Sequence, residues 1–145
     1  MAVDIPSHVF IVGGVGGLAS AVCAYFWALW DEQRPHFIVV ETINANYLKE
    51  SARAGKPIIV NSDLDTLMAG LACGEVSALA WEILDVGAND FHTINEEAVP
   101  LTMQLLAYGF SEDVKIEEGE SAVAGLSALI TALHSTYESR ALGFD

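Results

Sequence analysis

The sequence is poor in basic residues, with six lysines and arginines against 20 aspartates and glutamates and a formal charge of −14. Such a surface repels nucleic acids and anionic membranes, so we expect neither as a partner. No uninterrupted apolar run reaches the roughly 18 residues needed to cross a bilayer. Residues 1–8 lack the basic and apolar regions of a signal peptide, and a cytoplasmic location is therefore the expectation.

Cysteine is also scarce. Cys23 and Cys73 are the only two in the 145 residues, and they do not have the CxxC spacing of a metal or redox site. We interpret both as small buried apolar residues. The four histidines show neither HxxxH nor HxH spacing, so no metal site is predicted.

Charged residues make up only 18% of the chain, whereas 52% are hydrophobic. This balance predicts apolar surface that the chain does not cover by itself. We therefore expect a partner, either further copies of the chain in a homo-oligomer or a complementary chain. The length favours one domain, residues 1–145.

Short apolar runs alternate with helical segments, which predicts an α/β fold. We expect three layers: a mostly parallel sheet of about four strands, with helices on both faces. Residues 63–75 are interpreted as a structured loop with one helical turn. The predicted strands are the run that begins at His8, then 36–41, 58–60 and 91–94. The predicted helices follow the first strand and then span 44–54, 77–86, 95–108 and 120–134, with Asn44, Ser77 and Asn95 as their caps or first residues.

Four glycines, at 13, 14, 16 and 17, flank Val15 between the first strand and its helix. Such a turn needs positive φ angles and leaves no Cβ atoms between the backbone and a bound group. The N–H groups of the following helix then favour a phosphate. The pattern lacks the lysine and hydroxyl of GxxxxGK[ST] and does not fit GxGxxG, and Glu41 is only a loose match to a ribose binder. The alternative is a tight packing turn.

Three blocks carry a family resemblance. They are SHVFIVGGVGGLASAV, DLDTLMAGLACGEVSALAWEIL and EGESAVAGLSAL, at 7–22, 63–84 and 118–129. Together, in this order, they resemble the pyridoxal-phosphate enzymes with the fold of tryptophan synthase β-subunit and threonine dehydratase. Within that group they are most similar to the diaminopropionate ammonia-lyases. The resemblance implies pyridoxal phosphate as cofactor.

The resemblance also implies roles for particular residues. The backbone N–H groups of the glycine loop would surround the 5′-phosphate, the second block would line the cofactor face, and the third would lie at the ring edge. Ala122 departs from the family, which commonly has glycine there. The implied cofactor-binding residues are Gly14, Val15, Gly16, Gly17 and Leu18 in the loop, Gly70, Leu71 and Ala72 with Cys73 in the second block, and Glu120 in the third.

In this family an upstream segment carries the imine-forming lysine, the loop for the substrate carboxylate and the proposed acid–base groups. A terminal segment supplies the hydroxyl that faces the pyridine nitrogen. The sequence shows none of these, and its lysines, Lys49, Lys56 and Lys115, lie in polar settings. We therefore expect that the chain is the phosphate-binding portion of an ammonia-lyase and that it does not turn over substrate by itself. The alternative is a non-catalytic truncated domain, acting as a homo-oligomeric module or a binder of small phosphate ligands.

Overall fold

A computed structural model describes residues 4–59 and 64–144. Within them lies a parallel sheet of three strands in the order β1-β2-β3. The strands are β1 His8–Val12, β2 His36–Thr42 and β3 Asp90–Ile94. β2 is central because both neighbours pair with it in parallel. The carboxyl ends of all three strands therefore lie at one edge, where ligands of such sheets bind.

Helices connect and cover the strands. They are α1 Gly17–Trp30, α2 Tyr47–Ala54, α3 Ala78–Gly87, α4 Ala98–Tyr108, α5 Ala124–His134 and α6 Thr136–Ala141. Two short 3-10 turns occupy Asp31–Gln33 and Ala69–Leu71. The second is the single helical turn expected in the loop 63–75, of which residue 63 lies outside the described residues.

Each face of the sheet has its own core, since successive strand residues point to opposite faces. Ile38 and Val40 of β2 face α4 and α5. Phe37 and Val39 face α1, α2 and α3. All four of these side chains are fully buried, which is why the central strand is a continuous apolar run. The α/β fold with helices on both faces is thus confirmed.

The predicted strand at 58–60 is not part of this sheet in the described residues. Ile59 forms only an isolated antiparallel bridge with Glu75, and its side chain is 70% exposed. Val60 lies outside the described residues. The run has the composition of a strand, but Ile59 has no core face against which to pack, so the described sheet has three strands rather than four.

The predicted helix boundaries are partly correct. Ser77 caps α3 by accepting a 3.4 Å hydrogen bond from the Ala80 N–H. Asn44 does not cap α2, because its side-chain amide donates to the Asp65 carbonyl at 2.9 Å. Asn95 accepts from the Ala98 N–H through its carbonyl rather than its side chain, at 3.0 Å.

The end of the chain differs most from the prediction. α5 begins at Ala124 rather than at residue 120, because residues 120–123 form turns. The six-residue helix α6 was not predicted. The carbonyl of Leu142, directly after α6, accepts a 2.7 Å hydrogen bond from His8 at the start of β1, so this end of α6 lies at the amino edge of the sheet. Within the described ranges, no helix has the length and apolar character that a membrane span needs.

Candidate cofactor site

The glycine loop turns the chain from β1 directly into α1. The Gly13 N–H donates to the Val40 carbonyl at 2.8 Å, which continues the pairing with β2 for one residue. Gly14 and Gly16 then adopt φ angles of 59° and 95°. Gly16 is the N-cap residue of α1, and no side chain caps this end of the helix. Two of the four glycines are therefore required by backbone conformation.

Close packing explains glycine at two positions. A Cβ added at Gly13 would lie 2.9 Å from Cγ of Glu41, and one at Gly16 would lie 2.9 Å from Cβ of Ala80. Gly17 is different, since a Cβ there would meet no atom within 4 Å. The loop is thus a tight packing turn at its base and open at the point where α1 begins.

The open side of the loop presents backbone donors. The N–H groups of Gly17, Leu18 and Ala19 have no acceptor among the residues that the structure describes, and the first bond within the helix joins Ser20 N–H to the Gly16 carbonyl at 2.8 Å. The first turn of α1 contains no acidic residue. Val15, Gly17 and Leu18 are exposed. Free donors at the positive end of a helix dipole fit a phosphate group.

The structure brings the three sequence blocks together at this loop. The Gly70 carbonyl lies 3.6 Å from the position of a Cβ on Gly14, and Leu71 Cδ2 lies 3.9 Å from it. The Gly70 N–H donates to the Ser121 hydroxyl oxygen at 3.0 Å. The first block therefore contacts the second, and the second contacts the third.

The second block is also held by a buried tyrosine of α2. The Tyr47 hydroxyl donates to the Leu71 carbonyl at 3.0 Å, and the Tyr47 ring is fully buried. This burial raises the pKa of Tyr47 above its ordinary value, so the hydroxyl remains a donor. Leu71 is buried, whereas Ala72 is half-buried and Gly70 is exposed.

The remaining predicted groups are less closely tied to the loop. Glu120 is half-buried and directly precedes Ser121, and Ala122 is exposed in the same turn. Lys49 donates through Nζ to the Thr93 hydroxyl at 3.0 Å. Lys56 and Lys115 are exposed, as expected for solvated side chains.

Glu41 has a role that the sequence did not indicate. Its side chain is 1% exposed, and its two carboxylate oxygens accept from the N–H groups of Leu48 at 3.0 Å and Lys49 at 2.9 Å. It therefore caps α2 rather than facing a ribose. Burial raises the pKa of Glu41 to about 7 and outweighs the two hydrogen bonds and the nearby Lys49, which lower it, while Glu50 raises it slightly.

Comparison with known proteins agrees with this arrangement. Residues 2–140 match the family described as pyridoxal-phosphate dependent enzyme, so the chain belongs to that family. It is 37% identical to diaminopropionate ammonia-lyase of Escherichia coli strain K12 over 129 residues. The aligned residues cover 89% of this chain and 32% of that protein. The corresponding protein of Salmonella typhimurium strain LT2 is 32% identical over 136 residues, which is 92% of this chain and 34% of that protein.

Solved structures show the same fold. The crystal structure of the E. coli diaminopropionate ammonia-lyase in complex with D-serine aligns with a TM-score of 0.85 at 32% identity, over 96% of this chain and 35% of that chain. Maize serine racemase aligns with a TM-score of 0.78 at 22% identity, over 91% of this chain and 40% of that chain. The chain therefore spans about a third of the length of the curated relatives that it matches.

The residues present fit the phosphate of the cofactor on which this family depends. The donors of α1 are free of backbone acceptors within the described residues, and the space beside Gly17 is open. The loop of Gly14 to Leu18 would hold the phosphate, with Gly70 beside it.

Replacing Ser121 by alanine should loosen the contact between the second and third blocks. The Gly70 N–H would lose its acceptor, so we expect its amide to exchange about fivefold faster, the equivalent of one ordinary hydrogen bond. Hydrogen exchange resolved by residue would measure this. A Ser111→Ala variant, in an exposed turn, is the control. Unchanged exchange at Gly70 would contradict the contact.

Proposed function

We propose that this chain binds pyridoxal phosphate and forms the phosphate-binding portion of an ammonia-lyase that acts on amino acids of the diaminopropionate type by β-elimination. The observation that carries the proposal is the meeting of the three blocks, in which the Ser77 N–H donates to the Val15 carbonyl at 2.9 Å, Gly70 lies near Gly14 and Gly70 is bonded to Ser121. The 37% identity to an E. coli diaminopropionate ammonia-lyase supports the choice of chemistry.

In this proposal the backbone N–H groups of Val15, Gly17 and Leu18 bind the phosphate oxygens. The segment from Gly70 to Ala72 lines one face of the ring, and Glu120 lies near its edge. When bound, the cofactor supplies the electron sink for elimination. The chain's own contribution is to bind the phosphate of the cofactor and to orient its ring.

We further propose that the chain does not turn over substrate by itself. Lys49 is engaged with Thr93, and Lys56 and Lys115 are exposed, so none has the buried or cationic setting of an imine-forming lysine. A further polypeptide segment, in the same or another chain, would supply that lysine. Borohydride reduction followed by peptide mapping tests this, because a trapped imine at any of the three would contradict it.

The alternative is a non-catalytic interaction module that forms homo-oligomers. The favouring observation is the exposed apolar surface of α4 and α5, where the side chains of Leu101 and Leu133 are 68% and 57% exposed. Sedimentation at high concentration tests it, since a monomer would count against a homo-oligomer. A binder of small phosphate ligands is the remaining possibility, and the experiment below separates it from a pyridoxal-phosphate site.

Replacing Gly17 by aspartate should weaken phosphate binding at least tenfold without unfolding the chain. The new side chain has open space and lies in the first turn of α1, where a carboxylate stabilises the helix by about 0.3–1 kcal/mol. The same charge repels a phosphate dianion a few ångströms away, so we expect affinity to fall at least tenfold. Calorimetry with pyridoxine 5′-phosphate, which has no aldehyde to react with surface lysines, measures the site itself.

Thr136→Asp is the matched control. It adds the same charge at the first position of the exposed helix α6, away from the loop. Affinity should then remain within twofold. Pyridoxine without its phosphate and inorganic phosphate alone complete the comparison. Binding of inorganic phosphate as tightly as of pyridoxine phosphate would favour the simple phosphate binder, whereas no binding of either by the unaltered chain would refute the proposed site.

A further inference from the structure

Glu96 holds the segment that leads to the proposed ring wall. It lies in the turn between β3 and α4, and its carboxylate accepts three hydrogen bonds. Oε1 accepts from the hydroxyls of Thr42 and of Thr66, the latter at 2.5 Å. Oε2 accepts from the Leu67 N–H at 2.8 Å. Two of the three donors belong to the second sequence block.

The charge state of Glu96 suits this role. Partial burial acts to raise its pKa, but the hydrogen bonds from Thr42, Thr66 and Leu67 outweigh that effect and hold the pKa of Glu96 below its ordinary value. The group is therefore a carboxylate at neutral pH. A carboxylate accepts on both oxygens and has no competing donor, whereas an amide at this position offers one acceptor and one donor.

A short chain of bonds connects Glu96 to the site. The Thr66 hydroxyl, which donates to Glu96, also accepts from the Met68 N–H at 3.1 Å. The Met68 side chain is fully buried, and its carbonyl accepts from the Leu71 N–H at 2.8 Å. Gly70 lies within this turn. Fixing Thr66 and Leu67 thus fixes the entry to the 3-10 turn that faces the glycine loop.

We infer that Glu96 is a positioning residue for the Gly70 to Ala72 wall of the cofactor site, acting through Thr66 and Leu67. The expected effect of Glu96 on cofactor affinity rests on the proposed function. The expected effect of Glu96 on the order of the segment does not, and the two effects are measured separately.

Glu96→Gln is the main test, because the single acceptor oxygen of an amide cannot serve both the Leu67 N–H and the two hydroxyls as the carboxylate does. In the chain without cofactor, we expect the Leu67 and Met68 amides to exchange about tenfold faster, the loss expected for a hydrogen bond to a charged group. Affinity for pyridoxine 5′-phosphate should fall by a similar factor at a temperature where both proteins are fully folded. Glu97→Gln, which removes the same charge one residue later at an exposed position without a capping bond, should change neither.

Substitutions at Thr66 give a readout that a general loss of stability would not produce. Thr66→Val keeps the shape but removes the hydroxyl, and should reproduce the effect of Glu96→Gln on exchange and affinity. Thr66→Ser keeps the hydroxyl and should restore both to within about twofold of the unaltered chain. Because both variants differ from threonine at one atom group only, the hydroxyl itself is tested.

The outcomes separate this inference from the proposed function. If the unaltered chain does not bind pyridoxine 5′-phosphate, the proposed function fails, and exchange alone decides whether Glu96 orders the segment. Unchanged exchange at Leu67 and Met68 in Glu96→Gln overturns the inference. So does unchanged affinity in that variant when the unaltered chain does bind. Faster exchange together with weaker binding, absent in Glu97→Gln, supports it.

Discussion

Replacing Gly16 by alanine is expected to lower the free energy of unfolding by about 3 kcal/mol. Two effects add at this position. The φ of 95° is unfavourable for any residue with a side chain, which costs roughly 1–2 kcal/mol. The new Cβ would also lie 2.9 Å from Cβ of Ala80 and 3.2 Å from Cδ1 of Leu84, and overpacking of this kind costs about 1–3 kcal/mol. Urea unfolding followed by circular dichroism measures the loss.

Two other glycines separate the two effects. Gly55 has a φ of 65° with no atom within 4 Å of an added Cβ, so Gly55→Ala should show the cost of backbone strain alone. Gly17 has neither strain nor a close neighbour, so Gly17→Ala should not destabilise the chain and should stabilise it by up to about 1 kcal/mol. If Gly16→Ala were no more destabilising than Gly55→Ala, the packing of the loop on α3 would not be tight.

A compensating change at Ala80 would identify the clash directly. In the double variant Gly16→Ala with Ala80→Gly, the contact with Ala80 Cβ should disappear, while the contact with Leu84 Cδ1 and the backbone term remain. The recovery, corrected for the Ala80→Gly variant alone, should therefore be about 1 kcal/mol, the lower end of the range for overpacking. No recovery would mean that the Ala80 contact is not a source of the strain.

The strands were the most predictable part of the fold. β2 was predicted at 36–41 and spans His36–Thr42, and β3 was predicted at 91–94 and spans Asp90–Ile94. Strands that are covered on both faces must be apolar at successive positions, so they stand out in the sequence. The run at 58–60 has the same composition without the same burial. Composition alone could not tell these two situations apart.

Helix ends were less predictable because their partners come from elsewhere in the chain. Asn44 has the residue type of a cap, but α2 is capped by Glu41, which belongs to the preceding strand. Whether its carboxylate reaches the helix depends on the strand, the turn and the helix together. The short helix α6 has too few apolar residues for a periodic pattern to be visible.

The candidate site also has features that the local sequence predicts and contacts that only the structure reveals. Local rules predicted an anion-binding turn at the four glycines, with a tight packing turn as the alternative, because a strand that leads straight into a helix needs glycine for either purpose. They could not reveal that Gly13 packs on Glu41 or that Gly16 packs on Ala80, since these are contacts across 28 and 64 positions of sequence. The family resemblance implied that the second and third blocks lie around one cofactor, whereas the bond between Gly70 and Ser121 emerged only from the structure. Glu96 has no local signature and emerged only from the structure.

Glu41 should make stability fall as the pH rises from about 4.5 to about 7. Its pKa is raised from 4.5 to about 7 because the carboxyl group is buried, so the folded chain holds a proton that the unfolded chain has already released. The stabilisation is complete below pH 4.5 and is lost as the pH passes through 7. A shift of this size corresponds to at most about 3 kcal/mol.

Glu41→Gln isolates this effect from the titration of the other acidic groups. Glutamine does not titrate and its loss of one acceptor oxygen costs the same at every pH, so the variant should gain on the unaltered chain as the pH rises, by up to about 3 kcal/mol between pH 4.5 and 8. Urea unfolding across this range measures the difference. Glu82→Gln, an exposed position on α3, controls for net charge and should show no such trend. The opposite trend would mean that the N–H groups of Leu48 and Lys49 outweigh burial and keep Glu41 ionised.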